Sequence, residues 1–167
     1  MEKIRVLESI DYPKTGIMLD TGHLLNTNQA ILTEEEGIRW ILTWLSDLGE
    51  LRRAIRGIHL SKSLSAEYVN RTRNQVYAGD IALSFWDRYH QALEHVRRID
   101  QHEPFRDPAI TCIFDIIDPR FVTYEFTYRC LDDWLSKIRR QRRAMAGVHP
   151  SKYADSVNKF MSKSEEF

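Results

Sequence analysis

Carboxylates and imidazoles occur near the ends of short apolar segments in this chain of 167 residues. The apolar run Ile17-Met18-Leu19 ends in Asp20, and His23 lies three residues further on. Thr21-Gly22 between them favours a turn, so the pattern predicts a buried strand that runs into a loop. An aspartate and a histidine at this spacing can converge on one metal ion or on one substrate hydroxyl. The alternative is that Asp20 caps the turn and that His23 is a surface residue.

Further segments carry the same residue types. His59 lies near the end of the apolar segment Gly57-Ile58-His59-Leu60, and Glu125 lies near the end of another apolar segment. An unpaired carboxylate is costly in such a context, so a charged partner or a metal ion is expected beside Glu125. Asp100 and His102 flank a single residue, and an extended backbone would direct both side chains to the same side.

The hydrophobic periodicity places these residues in an α/β fold. Strands alternate with helices, which predicts a parallel sheet with right-handed crossovers. Ligands bind beyond the C-terminal ends of such strands, where all of these residues fall. The mixture of imidazoles and carboxylates suits zinc, manganese, cobalt or iron without choosing among them. We expect strands at 16–20, 56–60 and 121–126, helices at 2–11, 33–55, 80–98, 108–117 and 131–145, and a loop over 61–79.

The predicted helices carry their own capping and packing residues. Thr33 and Glu36 form a capping box, and Gly49 marks a break in the helix at 33–55. The arginines at 139–143 lie at the end of the last helix, where they oppose its dipole. Residues expected to face the core are Ile38, Ile41, Leu42, Leu45, Leu48 and Leu51 in the helix at 33–55, and Leu131, Trp134, Leu135 and Ile138 in the last helix; the helix at 80–98 carries the apolar residues Ile81, Leu83, Phe85, Trp86, Tyr89, Leu93 and Val96.

The composition is that of an ordinary globular protein and argues against several classes of partner. Net charge is zero, with 24 basic and 24 acidic residues, so no overall field attracts the chain to nucleic acid or to an anionic membrane. No apolar run reaches the roughly 20 residues that span a bilayer. The N-terminus lacks the apolar segment of a signal peptide. Cys112 and Cys130 form no CxxC pair, which favours free thiols in a reducing compartment and hence the cytoplasm.

Four segments together resemble a known superfamily. Gly-Ile-Met-Leu-Asp-Thr-Gly-His, Gly-Ile-His-Leu, Asp-Gln-His and Val-Thr-Tyr-Glu-Phe are similar to the sixth, seventh and eighth strands of the xylose-isomerase-like TIM barrels. That superfamily includes sugar phosphate isomerases and epimerases, keto-sugar 3-epimerases, inosose dehydratases and apurinic endonucleases of the endonuclease IV type. The resemblance implies a partial (β/α)8 barrel, about the last three βα units, with parallel strands and outer helices.

The resemblance also implies a role for each candidate site residue. In the superfamily, the Asp of Asp-x-x-His, the histidine of the seventh strand and the glutamate of the eighth bind a divalent metal. The His of Asp-x-x-His binds substrate in the epimerases and a further zinc in the endonucleases, and an Asp-x-His segment holds another zinc in the endonucleases. Carried over to this chain, the metal ligands are Asp20, His59, Glu125, His23, Asp100 and His102, the catalytic acid/base is Glu125, and the substrate-binding residues are His23 and Lys62.

The chain departs from the superfamily in what it lacks. The resemblance covers residues 1–147, followed by a polar tail at 148–167, and it matches about the last three of eight strands. The fifth-strand glutamate that faces the eighth-strand glutamate across the metal is missing, and the sequence opens on a helix already under way. We therefore expect the C-terminal part of a longer protein. Its open sheet edges predict association with a second copy or with a separately encoded N-terminal half.

Three functions follow as expectations. The first is a divalent-metal-dependent isomerase or epimerase that moves a proton on a keto or aldo sugar or sugar phosphate. The second is a zinc phosphodiesterase acting at abasic DNA, favoured by Asp-x-His and the arginine run. It would need a basic face around its metal rim, and the neutral chain does not favour nucleic acid as a partner. The third is a non-catalytic barrel fragment that acts as an interaction module.

Overall fold

The computed structural model of the protein describes residues 9–12, 15–73 and 83–146. The helix expected at 2–11 lies outside these ranges except for residues 9–11, which are not helical. The tail expected at 148–167 and residues 80–82 of another expected helix also lie outside the described residues. Within the described part of the chain, no helix is long and apolar enough to cross a membrane.

A three-stranded parallel sheet forms the centre of the fold, as the sequence predicts. Its strands are β1 (Ile17–Asp20), β2 (Ile55–His59) and β3 (Phe121–Thr123), in the order β1-β2-β3. The third strand was expected to continue to residue 126. It ends at Thr123 because β2 leaves the sheet after His59, and the amide of Leu60 makes the last bond, to the Thr123 carbonyl at 2.8 Å.

The helices differ from the sequence prediction at their ends and by two additional short helices. A helix begins directly after Asp20 where a loop was expected, and another helix lies within the predicted loop at 61–79. The predicted helices at 33–55 and 108–117 each contain a 3₁₀ segment. The α-helices are α1 (Thr21–Asn26), α2 (Glu34–Asp47), α3 (Ala66–Thr72), α4 (Phe85–Ile99), α5 (Ile113–Ile116) and α6 (Leu131–Ala144), and the 3₁₀ helices are Gly49–Ala54 and Pro108–Cys112.

Local sequence signals explain where α2 begins and ends. Thr33 accepts a hydrogen bond from the amide of Glu36, whose carboxylate accepts one from the Thr33 amide, so the predicted capping box is present. Gly49 has φ of +54°, a left-handed conformation that glycine adopts at little cost. The predicted break at Gly49 is therefore correct, and the chain continues as a 3₁₀ helix into β2.

The hydrophobic core lies on one side of the sheet. Leu19 and Ile58 point from adjacent strands toward α2 and α5, where they pack with Ile41, Leu45 and Ile113. All of these side chains are at most 5% exposed. Burial of such aliphatic side chains contributes roughly 1.5–3 kcal/mol each, so this layer is a major stabilising part of the fold.

The opposite side of the sheet is uncovered in the described part of the chain. Met18, Gly57 and Phe121 are register partners and share this side. A side chain at Gly57 would collide with the Phe121 ring, so glycine leaves room for that ring to lie over β2. Met18 and Phe121 remain 42% and 45% exposed. The sheet therefore has one packed side and one open side.

The predicted packing face of α6 is wrong, and the apolar residues of α4 do not join the core. No residue of α4 is buried, and Phe85, Trp86, Tyr89 and Val96 are all exposed. In α6, Leu131 and Trp134 were expected to point inward but are 65% and 36% exposed, and the buried residues are Lys137, Gln141 and Ala144. The reason lies in polar partners: Lys137 Nζ donates to Glu103 Oε1 at 2.6 Å, and Gln141 Oε1 accepts from the Phe105 amide at 2.8 Å.

Glu34, at the start of α2, ties together two segments that are distant in the sequence, one after β2 and one after α4. One carboxylate oxygen accepts the amides of Arg106 and Asp107 at 2.5 and 2.7 Å, and the other pairs with the ammonium of Lys62. Burial raises the pKa of Glu34, but the hydrogen bonds from Asp107, Lys62 and Arg106 outweigh burial, so the pKa lies below its ordinary value. The charged form therefore stabilises the fold above the unfolded pKa, and this contribution disappears as pH falls through the folded pKa.

We expect E34Q to lower the free energy of unfolding by about 2 kcal/mol at neutral pH, because Lys62 loses its partner in a partly buried position. The difference from the wild type should shrink as pH falls through the folded-state pKa of Glu34. Urea unfolding at several pH values measures both effects. E35Q is the matched control, because the exposed pair of Glu35 with Arg39 contributes below about 0.5 kcal/mol. Equal losses in the two variants would contradict this account.

Candidate metal centre

The C-terminal edge of the sheet places three polar residues in one row. Asp20, His59 and Thr123 are register partners on neighbouring strands, so their side chains point to the same, open side of the sheet. Glu125 follows Thr123 by two residues and lies beside His59. The row therefore begins with two potential metal ligands and continues into a third.

The Asp20 group consists of Asp20, His59 and Glu125, each offering one ligand atom within 4.8 Å of the others. His59 Nδ1 lies 2.9 Å from Glu125 Oε2 and 3.6 Å from Asp20 Oδ2. Exposure increases across the group, since the side chains of Asp20, His59 and Glu125 are 17%, 32% and 48% exposed. The group is thus anchored at Asp20 and open to a ligand at Glu125.

Asp20 combines the two roles that its sequence context allows. Its Oδ1 accepts the amide of His23 at 3.0 Å and so caps α1, which begins at the next residue. Its Oδ2 faces the imidazoles of His23 and His59. Capping uses one carboxylate oxygen and leaves the other directed toward the two imidazoles. Asp20 can therefore cap α1 and also act as a metal ligand.

The His102 group consists of His23, Asp100 and His102, whose ligand atoms also lie within 4.8 Å of one another. His102 Nε2 lies 2.6 Å from Asp100 Oδ1, yet both atoms are buried and neither makes an aligned hydrogen bond with the described residues. A close but poorly aligned pair satisfies buried polar atoms only in part, because a hydrogen bond weakens steeply when its angle is unfavourable. A cation bound by both atoms would offset the poor alignment.

His23 connects the two groups through its two ring nitrogens. Nδ1 lies 3.3 Å from Asp20 Oδ2, and Nε2 lies 3.4 Å from both oxygens of Asp100. Ligands around one tetrahedral zinc are also about 3.3 Å apart, since each lies about 2.0–2.1 Å from the ion. The donor types suit a divalent metal, and the separations of 3.3–3.6 Å are close to this value, whereas His102 Nε2 and Asp100 Oδ1 lie closer together, at 2.6 Å. The six expected ligands form two adjacent groups.

Hydroxyl groups hold the backbone of both groups in place. The buried Thr21 hydroxyl lies 2.7 Å from the Ser61 carbonyl and accepts the Ser61 amide at 3.1 Å, which fixes the start of α1 against the end of β2. The Ser63 hydroxyl accepts the amides of Gln101 and His102 at 3.1 and 3.3 Å. The sequence prediction missed these positioning residues, although Thr21, Ser61 and Ser63 all lie just after predicted strands.

Lys62 belongs to neither group. Its ammonium pairs with Glu34, and the side chain is only 12% exposed. In this structure Lys62 holds the segment after β2 against α2, and its expected contact with substrate stays a prediction.

Comparison with models of known protein families, with curated proteins and with solved structures finds no match for the chain.

We expect the chain to bind two divalent ions, because it offers two three-residue groups. E125Q and H102Q should each lower the affinity for one ion by at least about tenfold and leave the other ion bound. Even residues that only orient metal ligands change the affinity 10–100-fold. Titration with Co²⁺, followed by its visible absorbance, and metal analysis after dialysis measure this. H90Q is the control, because His90 is exposed on α4 outside both groups. Metal content unchanged in E125Q and H102Q would contradict the ligand assignment.

Proposed function

We propose that this chain is the C-terminal part of a divalent-metal-dependent enzyme of the xylose-isomerase-like barrel type. The parallel strand order, the helices on one side of the sheet and the cluster of ligands at its C-terminal edge support this assignment. The first ion would be held by Asp20, His59 and Glu125, and the second by His23, Asp100 and His102.

The reaction that this geometry supports best is hydrolysis of a phosphate ester. The observation that carries the proposal is the His102 group, because a second ion is not needed for proton transfer on a sugar. Two divalent ions at adjacent positions stabilise the charge on the attacking and leaving oxygens of a displacement at phosphorus. Glu125 is the most exposed carboxylate of the Asp20 group, so it is the residue placed to exchange a proton with the substrate or with water.

A second candidate is isomerisation or epimerisation of a sugar or sugar phosphate with one ion. The exposed carboxylate of Glu125 beside His59 favours it, because such a carboxylate can take a proton from a carbon next to a carbonyl group. Return of the proton from the other face requires a second exposed carboxylate. In the described residues the only other carboxylate of the Asp20 group is Asp20, which is 17% exposed and caps α1.

The substrate that we propose is a small phosphorylated sugar or a related ester rather than DNA. The chain is neutral overall, which does not support the long-range attraction on which nucleic-acid binding depends. Cys112 and Cys130 are free and exposed, as the sequence predicts, and free thiols support our proposal of a cytoplasmic protein.

The open side of the sheet supports association with another chain. β1 and β3 are edge strands, and Met18 and Phe121 expose an apolar surface between them. Exposed edges with apolar side chains pair readily with further strands. A second copy or a separately encoded N-terminal half would cover this surface and bring further side chains to the metal rim.

For activity, we expect metal-loaded chain to release nitrophenolate from p-nitrophenyl phosphate, a probe for phosphomonoester hydrolysis. The rate should fall roughly a hundredfold or more in both E125Q and H102Q, because each removes part of a two-ion site. Incubation of a sugar phosphate in D₂O, followed by NMR, tests the second candidate. Deuterium exchange at carbon that is lost in E125Q but retained in H102Q would favour the isomerase over the hydrolase.

H90Q is again the control, and it should keep the wild-type rate. If the wild-type chain catalyses neither reaction faster than E125Q does, the result would argue against both enzymes and in favour of a non-catalytic interaction module.

For association, we expect sedimentation equilibrium of the chain to show a species larger than a monomer. F121D should shift this species toward the monomer, because it places a charge on the open side of the sheet. L32D is the control, since Leu32 is 61% exposed and precedes α2, away from the strands. A wild-type chain that sediments as a stable, folded monomer would argue against self-association.

A further inference from the structure

A cavity of about 870 Å³ lies between the end of α4, the segment after β3 and α6. This volume is in the range of small-molecule sites, but the walls are mainly polar and charged rather than apolar. Its lining residues are Arg97, Glu103, Thr127, Tyr128, Arg129, Asp133, Lys137 and Arg140.

Two of the four basic residues in this cavity have a carboxylate beside them. Lys137 Nζ lies 2.6 Å from Glu103 Oε1 and is largely buried, so this pair forms a fixed part of the wall. The Arg129 guanidinium lies 3.5 Å from Asp133. The hydrogen bond from the Arg129 amide lowers the pKa of Asp133, which keeps this carboxylate charged. These contacts account for both carboxylates of the cavity.

Arg97 and Arg140 carry the remaining positive charge. Among the described residues, no carboxylate lies within 4.0 Å of either guanidinium. They reach the cavity from different helices, α4 and α6, so they face it from two directions. Two guanidinium groups that have no carboxylate partner in the described ranges, both lining one polar cavity, match a dianion, because each can donate two parallel hydrogen bonds to a phosphate.

The cavity is adjacent to the metal centre along the chain. Thr127 lies two residues after Glu125, and its hydroxyl donates to the carbonyl of Gln101 at 2.7 Å. Gln101 separates Asp100 from His102, and Glu103 of the cavity wall follows His102 directly. Ligand-bearing segments of both groups therefore continue into the wall of the cavity.

We propose that this cavity binds the phosphate group of a small phosphorylated substrate through Arg97 and Arg140 and so orients the substrate toward the metal centre. The orienting role rests on the proposed function, whereas anion binding by the cavity does not. Of the arginines at the end of α6, Arg140 lines the cavity and would bind the phosphate, whereas Arg139 and Arg143 do not line it.

Isothermal titration in the presence of EDTA tests anion binding apart from metal binding. The probes are inorganic phosphate, glucose 6-phosphate and glucose. We expect both phosphates to bind and glucose not to bind, and R97Q and R140Q each to weaken phosphate binding by at least about tenfold. R139Q removes the same charge from the neighbouring position of α6, and it should change the affinity by less than about twofold.

Equal effects of R97Q, R140Q and R139Q would overturn the proposal, because the anion would then respond only to overall charge. Phosphate binding that requires added metal and is lost in H102Q would also overturn it and place the anion at the metal centre. Tighter binding of glucose 6-phosphate than of inorganic phosphate supports the role in substrate binding. Tighter binding of inorganic phosphate would overturn that role and assign the cavity to free phosphate. Failure of the chain to bind metal leaves the titration in EDTA unaffected, so the two proposals fail separately.

Discussion

The hydroxyl of Thr21 is the contact on which the arrangement of the metal centre depends. It is fully buried and lies within hydrogen-bonding distance of the Ser61 carbonyl and amide and, at 3.1 Å, of the His59 carbonyl. Because Thr21 is also the first residue of α1, these contacts fix the start of that helix against the end of β2. Asp20 directly precedes Thr21 and His23 follows it by two residues, so the same contacts fix where both residues lie relative to β2. Leaving such buried groups without partners would cost about 1–3 kcal/mol each.

A second clamp lies between the segments that follow β2 and α4. Lys62 and Glu103 exchange both backbone hydrogen bonds, at 2.7 and 2.8 Å, and their side chains extend to Glu34 and Lys137 respectively. The chain between these segments includes α3 and α4, yet its two ends are held side by side. This clamp explains how His102, which directly precedes Glu103, can lie next to His23 although 79 positions separate them along the chain, counting from 23 to 102.

Some of this structure could be predicted from the sequence because its causes are local or periodic. Parallel strands end at a common edge, so the apolar segments before Asp20, His59 and Glu125 were sufficient to predict that these residues lie together. The short helix α1 could not be predicted, since a helix of six residues is unstable alone and depends on the contacts of Thr21. The prediction of which face of α6 is buried was wrong for a related reason, because Lys137 and Gln141 are buried by partners that are distant in the sequence.

The backbone conformation at His102 could not be predicted from the spacing of Asp100 and His102. Asp100 and His102 were expected to share a side because of an extended backbone, but His102 has φ of +46°. That conformation costs about 1–3 kcal/mol in a residue with a side chain, and the amide bonds to Ser63 hold it in place. The same segment buries Asp100 Oδ1 and His102 Nε2 without aligned hydrogen bonds among the described residues. Backbone strain and poorly aligned buried polar atoms thus occur together at one position, and a bound cation would offset the poor alignment, which supports the second ion that we propose.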